Sequence, residues 1–299
     1  MKKVSYFVSV ILIGALAACN SGSKELACPD ESVPYVVTTT ENIVPADSVN
    51  GFPEYTSLEK TQVDMKAFPK DADGAYILFC GKSLYGWRGY NKDTIPARWS
   101  LGQDGTLQLK GGGEGEAQDS TKGGDLIFAH KFKNFKLSFE WKMDTASNSG
   151  VFVLAQEIKG QPIYISSPEY QLLDNENHPD AKQGVNGDRQ SASLYDMIPA
   201  VPQNAKPCGQ WNTGSITVFK GSVFYEQNGK TVVEYHLWTP QWTDMLQKGK
   251  FKADKDGPFG TLAFKLLNNC GGDNHEGYIG LQDHGDNVWF RNIKIKVTE

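Results

Sequence analysis

Residues 135–143 read "FKLSFEWKM". Phe135, Leu137, Phe139 and Trp141 fall on one side of an extended chain, and Lys136, Ser138, Glu140 and Lys142 on the other. That period of two is the signature of a half-buried β-strand and fits no helix. The same pattern recurs outward in both directions. Toward the N-terminus stand "AYILFC", "RWSLG", "TLQLK" and "DLIFA". Toward the C-terminus stand "GVFVLAQ", "IYI", "YQLL", "SITVFK", "VFYEQ", "TVVEYHLW", "TLAFKLL", "YIGLQ" and "NVWFRNIKIKV". Gly, Asn and Asp punctuate the joins. Asn228-Gly229 inside "FYEQNGKTVVEY" supplies the positive φ angles of a type I′ hairpin turn.

Many short strands with turn signals between them predict an all-β, two-sheet antiparallel sandwich, a jelly roll. One short helix is expected at 240–248. Thr239 caps it, Pro240 fits its first turn, Trp242, Met245 and Leu246 share a face, and Gly249 ends it. A bulge near Arg291 is expected, because the apolar residues of "VWFRNIKIK" do not alternate cleanly.

The N-terminus carries a different message. "MKK" followed by "VSYFVSVILIGALAA" is a secretory signal and stays outside the fold. It ends in "LAAC", a lipobox-like sequence, which predicts a signal over 1–18 and a lipidated Cys19. Residues 19–70 are then tether and N-terminal extension, and the turn cluster "PKDADG" places the sandwich domain at 71–299. Cys28, Cys80, Cys208 and Cys270 remain. They are read as structural, with their pairing open. The expected location is the bacterial cell envelope, with the membrane contacted through the lipid alone. The net charge of −5 is mild and no basic stripe appears, so no nucleic-acid partner is expected.

For chemistry the polar strand faces offer Glu140, Glu169, Gln171, Gln282 and His284. "EYQLLDNENHPD" (169–180) adds Asp174 and His178. Two readings stand: ordinary solvent-facing strand residues, or the lining of a sugar site. Ca²⁺ or Mg²⁺ would suit oxygens of Glu169, Asp174 and Asp283, with His178 and His284 close in sequence, but no spacing fixes a ligand set. A retaining or inverting glycosidase needs two facing carboxyl groups. Here the residue two after Glu169 is Gln171, and Asp174 is out of phase, so that pair is missing from this strand. No GxSxG elbow is present. "GGGEGE" at 111–116 lacks the Lys-Ser/Thr of a phosphate loop and is expected to be a surface loop.

Seven segments together resemble the 3-keto-disaccharide hydrolase family: "LFCGKSLYGW" (78–87), "FEWKM…NSGVFV" (139–153), "EYQLLDNENH" (169–178), "SLYDMIP" (193–199), "GQWN" (209–212), "NGKTVVEY" (228–235) and "GYIGLQDHGDNVWFRNIKIK" (277–296). Members are common as lipoproteins of Bacteroidetes-type bacteria. The chain departs from the family pattern at Leu154, where Arg is frequent, and at Gln210, where Glu is frequent. The resemblance implies a concanavalin- or laminarinase-like jelly roll acting on carbohydrate whose C3 hydroxyl has been oxidised to a ketone. The ketone makes the C2 proton acidic, so elimination at C1 followed by hydration needs one base, one enolate stabiliser and one proton donor. On that reading Glu169 is base or metal ligand, and His284 is proton donor or enolate stabiliser. Gln171, Asp174, His178, Gln282, Glu140 and Arg291 orient substrate, with Arg291 alternatively paired to a carboxylate of a neighbouring strand. A sugar-binding module using Trp87 or Trp238 as a stacking platform, and a conventional glycosidase, are the rival readings.

Overall fold

The structure, a computed structural model, describes residues 26–112 and 123–299. The signal, Cys19 and the 111–116 loop beyond Gly112 lie outside the described residues. In chain order the strands are β1 (Thr39–Val44), β2 (Tyr55–Lys60), β3 (Tyr76–Ile77), β4 (Trp87–Gly89), β5 (Trp99–Leu101), β6 (Leu107–Leu109), β7 (Leu126–Phe128), β8 (Phe135–Met143), β9 (Asn148–Ala155) and β10 (Glu169–Leu173). Then follow β11 (Asn212–Phe219), β12 (Ser222–Gln227), β13 (Lys230–His236), helices α1 (Pro240–Lys248) and α2 (Gly260–Asn268), β14 (Tyr278–Leu281) and β15 (Val288–Val297).

All described pairings are antiparallel. One sheet runs β10-β9-β14-β7-β4 and the other β13-β12-β11-β8-β15-β6-β5, with β3 also on β15. The decisive stretch is β8, and its burial alternates along its whole length. Phe135, Leu137, Phe139 and Trp141 meet Tyr170, Leu172, Val151 and Val153 of the five-stranded sheet in one core. Burying these side chains on both inner faces is what joins the two sheets.

The hairpin turns as expected, with Asn228 at φ 47° and Gly229 at φ 76°. The bulge in β15 falls between Arg291 and Lys294. Helix α1 begins and ends as expected, with the Thr239 side chain accepting from Trp242 N.

Three expectations need correction. "TLAFKLL" is not a strand but α2, whose Ala263, Phe264, Leu266 and Leu267 are buried with helical spacing. No side chain caps its start, so the usual entry signal is missing. "IYI" is a 3₁₀ turn, Ile163–Ile165. The extension is not wholly irregular, because β1 and β2 form a hairpin within it. A Cys28–Cys80 disulfide ties that extension to the sandwich. Cys208 and Cys270 are free thiols.

Candidate active site

The five-stranded sheet has a second, outward face. Opposed residues of antiparallel strands point to the same side, so the register sets out two rows. Arg88 pairs with Ile127, Ile127 with Gly280, Gly280 with Phe152, and Phe152 with Glu169. The adjacent row holds Gln171 opposite Gly150, while Gln282 N donates to Gly150 O at 2.9 Å. Thus Glu169, Gln171 and Gln282 share one face, as alternation predicts, and Gly150 lies between the two glutamines.

That end of the face is covered by the 191–196 segment, by residues 250–259 after α1, and by Tyr164. Between them is a cavity of about 130 Å³ lined by Asn148, Tyr164, Glu169, Gln171, Tyr195, Lys250, Phe251, Phe259, Gln282 and His284. Glu169 is only 7% exposed, Gln282 4%, and Asn148 4%. A larger groove of about 440 Å³ crosses the outer face of the eight-stranded sheet, but the enclosed polar and aromatic groups converge on the smaller one, and the larger is an open channel between surface side chains.

Each wall has a local cause. Gln171 N donates to Ser193 O at 3.1 Å, Ala192 N to Gln171 O at 2.7 Å, and Tyr195 N to Glu169 O at 3.2 Å, which seats the covering segment against the edge of β10. Tyr195 OH donates to Asp180 Oδ2 at 2.9 Å. The Asp180 carboxylate also takes Arg189 Nη1 at 2.8 Å. Burial, and then the nearby Glu169 charge, push the Tyr195 phenol well above its usual range, so it stays protonated. Phe251 stacks on Phe259 with centroids 5.2 Å apart, and Tyr164 packs on Phe259 at 5.3 Å.

His284 stands on the segment after β14. Its Nε2 is 3.4 Å from Asn148 Nδ2 and its Nδ1 is 3.8 Å from Asp286 Oδ2. Asn148 N donates to the same Asp286 oxygen at 3.0 Å, so one carboxylate positions both residues. Asn148 Oδ1 is buried with no hydrogen-bond partner, an acceptor suited to a sugar hydroxyl. His178 packs edge-on against His284 with ring centroids 6.2 Å apart. Its Nδ1 accepts from Asp180 N at 3.1 Å. Burial, reinforced by His284, pushes its pKa below the usual imidazole value.

The expected residues divide accordingly. Glu169, Gln171, Gln282 and His284 line the cavity, and His178 supports His284 from behind. Asp174 does not line it. Its carboxylate accepts from Ala146 N at 2.8 Å, Glu176 N at 3.1 Å and Asn177 N at 3.3 Å, and so holds a turn. Glu140 and Arg291 belong to the other sheet, where Arg291 Nε donates to Glu140 Oε2 at 2.8 Å and Asn292 Nδ2 binds Oε1 at 2.6 Å. Arg291 therefore makes the neighbouring-strand ion pair, away from the cavity. Asp283 points to the opposite side and accepts from Gly124 N at 2.9 Å and Gly285 N at 3.0 Å.

Among the described residues no three His, Cys, Asp or Glu side chains are grouped to hold a metal ion. Trp87 lies in the core against Phe128, and Trp238 is stacked on His275 at 3.7 Å, so neither is a free sugar platform.

Sequence reasoning missed Asn148, Tyr164, Tyr195, Lys250, Phe251 and Phe259. Asn148 and Tyr195 lie within "NSGVFV" and "SLYDMIP", so those segments carried the signal. Lys250, Phe251 and Phe259 lie in a loop with no periodicity to place them.

Residues 74–296 match the family described as the 3-keto-alpha-glucoside-1,2-lyase-like domain. The chain is 52% identical, over all of both chains, to a 3-keto-disaccharide hydrolase of Bacteroides thetaiotaomicron. Among solved structures it is similar to one from Parabacteroides distasonis described as a glycosyl hydrolase, with TM-score 0.62 and 26% identity, covering 76% of this chain and 95% of that one. A second structure from the same organism, also described as a glycosyl hydrolase, shares the fold at TM-score 0.50 and 24% identity, over 71% of this chain and 99% of that one. With the two-sheet sandwich and the cavity on its five-stranded sheet, these matches establish that the chain belongs to the 3-keto-alpha-glucoside-1,2-lyase-like family.

Proposed function

We propose that the protein cleaves glycosides whose C3 carries a ketone, by removing the C2 proton, eliminating the C1 substituent and adding water. Glycoside hydrolysis itself follows from the family and from the full-length likeness to the curated hydrolase. The observation that carries the finer reading is the carboxylate count. Among the described residues the cavity is lined by one carboxylate, Glu169, with amides, a histidine and a lysine. A conventional glycosidase needs two, whereas elimination beside a ketone needs a single base.

In this reading Glu169 takes the C2 proton. His284 gives a proton to the departing C1 oxygen, with Asn148 and Asp286 fixing the ring. Gln171, Gln282 and Asn148 bind hydroxyls. Tyr164, Phe251 and Phe259 supply the apolar wall that a sugar ring's C–H faces need. The test is a panel of plain and 3-keto disaccharides, with and without chelator. Cleavage confined to keto forms supports the reading. Equal cleavage of unoxidised sugars rejects it, and loss of activity with chelator brings in a divalent ion such as Ca²⁺ or Mg²⁺.

We also propose that the protein is held at the cell envelope by lipid on Cys19, on the strength of "LAAC" after the apolar run. No helix among the described residues is long and apolar enough to cross a membrane. Cys19→Ser should move the protein from the membrane to the soluble fraction. Unchanged membrane association would reject the anchor.

A further inference from the structure

Lys250 has an unusual position for a lysine. Its ammonium nitrogen lies 3.9 Å from the centroid of the Tyr195 ring, 5.5 Å from that of Phe259 and 5.8 Å from that of Phe251. Lys250 is half-buried, and lysine is among the residues least often buried without an ion partner. Yet among the described residues no carboxylate or carbonyl oxygen is in hydrogen-bond or ion-pair contact with this nitrogen. Asp196, Glu169 and Asp180 act on it only through space, and Arg189 opposes them.

Rings stabilise a cation but accept no ordinary hydrogen bond. None of the three N–H donors is taken by a described residue, and the side chain is part of the cavity lining together with Glu169 and His284. Burial pushes the amine's pKa below the usual lysine value. The aromatic contacts and the Asp196, Glu169 and Asp180 charges oppose that shift and favour the charged form.

We propose that Lys250 is a catalytic residue: its ammonium receives the C3 oxygen of the substrate and stabilises the enolate that forms when Glu169 removes the C2 proton. The proposal rests on the 3-keto reading of the site. The C2–H bond breaks and its proton goes to Glu169. The bonding pair becomes the C2–C3 double bond, and the carbonyl π pair moves to the C3 oxygen, which then bears the negative charge. When that charge returns, the C1–O bond breaks and the leaving oxygen takes its proton from His284. A cation fixed in an aromatic cage is pre-organised for the charge and needs no reorientation as it develops. It also discriminates between substrates, because a plain sugar at C3 presents a hydroxyl on which no charge builds.

The experiment uses a 3-keto-1-deoxyglucose, which can enolise but has no glycosidic group to lose. Exchange of its C2 hydrogen in D₂O, followed by NMR, reports enolisation alone. Wild type should exchange it. Lys250→Met, which fills the cage without charge, should lower the exchange rate by ~10²–10³, the usual loss for one oxyanion-stabilising donor. Lys250→Arg should recover part of it. On a cleavable 3-keto-disaccharide, kcat should fall with little change in KM. Lys250→Gln repeats the measurement if the Met variant fails to fold. His284→Ala should keep the exchange and lose cleavage. Wild-type-like exchange in folded Lys250→Met, with wild type active, overturns the role of Lys250 and leaves the 3-keto reading standing. A borohydride-trapped adduct on Lys250 overturns it in favour of an imine. If wild type neither exchanges nor cleaves the ketone, the 3-keto reading falls and this assignment with it.

Discussion

The carboxylate of Glu169 lies over the Cα of Gly150 on the neighbouring strand. A methyl group built on that glycine would collide with Oε1 and stand 2.9 Å from both Cγ and Cδ of Glu169. The two residues are diagonal partners, since β10 and β9 pair Gln171 with Gly150 and Glu169 with Phe152. The missing side chain leaves room for the acid to lie across β9.

Gly150→Ala is therefore expected to disarm the site without unfolding the sheet. Gly150 does not adopt the positive φ that would strain alanine, so the change tests space alone. Displacing Glu169 by about 1 Å should cost ~10² in kcat on a 3-keto-disaccharide. Steady-state kinetics beside a thermal melt checks this. An unaltered rate would mean that the carboxylate need not lie where it does.

Glu169→Gln keeps the shape and removes the charge. If Glu169 is the base, the rate should drop by ~10²–10⁴, with substrate binding nearly unchanged. His284→Ala should also lower the rate of overall cleavage, through the departure of the C1 oxygen, while leaving C2 hydrogen exchange intact. Loss of C2 exchange in His284→Ala would instead assign the two residues to one event.

Asp174 has a structural role with a defined pH signature. Burial alone would raise its pKa, but the N–H groups of Ala146 and Glu176, the Cys208 thiol and the Asn177 amide outweigh burial and bring it to about 2. The folded value is depressed, so its contribution is complete above the unfolded value of 3.8 and fades as pH falls from there toward about 2. Asp174→Asn should be less stable than wild type by about 1–3 kcal/mol near neutral pH. The gap should close in the acid range. Denaturant melts at several pH values read it, and a pH-independent gap would contradict the assignment.

How much of this the sequence disclosed depends on which forces act locally. Strand faces were legible because alternation is a short-range property. Phe135 to Trp141 and Glu169 with Gln171 fell on the expected sides. The start of α1 was legible for the same reason, since Thr239 and Pro240 are local signals. The start of α2 was not, because Phe259 and Gly260 offer no cap and its apolar run also suits a strand.

Glu140 shares its alternation with Glu169 but sits on the other sheet. Alternation tells which side of its own strand a residue occupies and says nothing about which sheet receives that strand. Lys250 becomes a site residue only through the packing of three rings brought from 195, 251 and 259. Nothing within its own segment announces that contact.

The most direct measurement is cleavage of a 3-keto-disaccharide in D₂O, with C2 of the released 3-keto sugar examined at early times against an enzyme-free control. Elimination and hydration require the C2 proton to leave and another to return, with water entry in between. The product should therefore carry deuterium at C2, and Glu169→Gln should form it slowly. Prompt cleavage that leaves protium at C2 would contradict proton abstraction by Glu169 and return the site to direct displacement at C1.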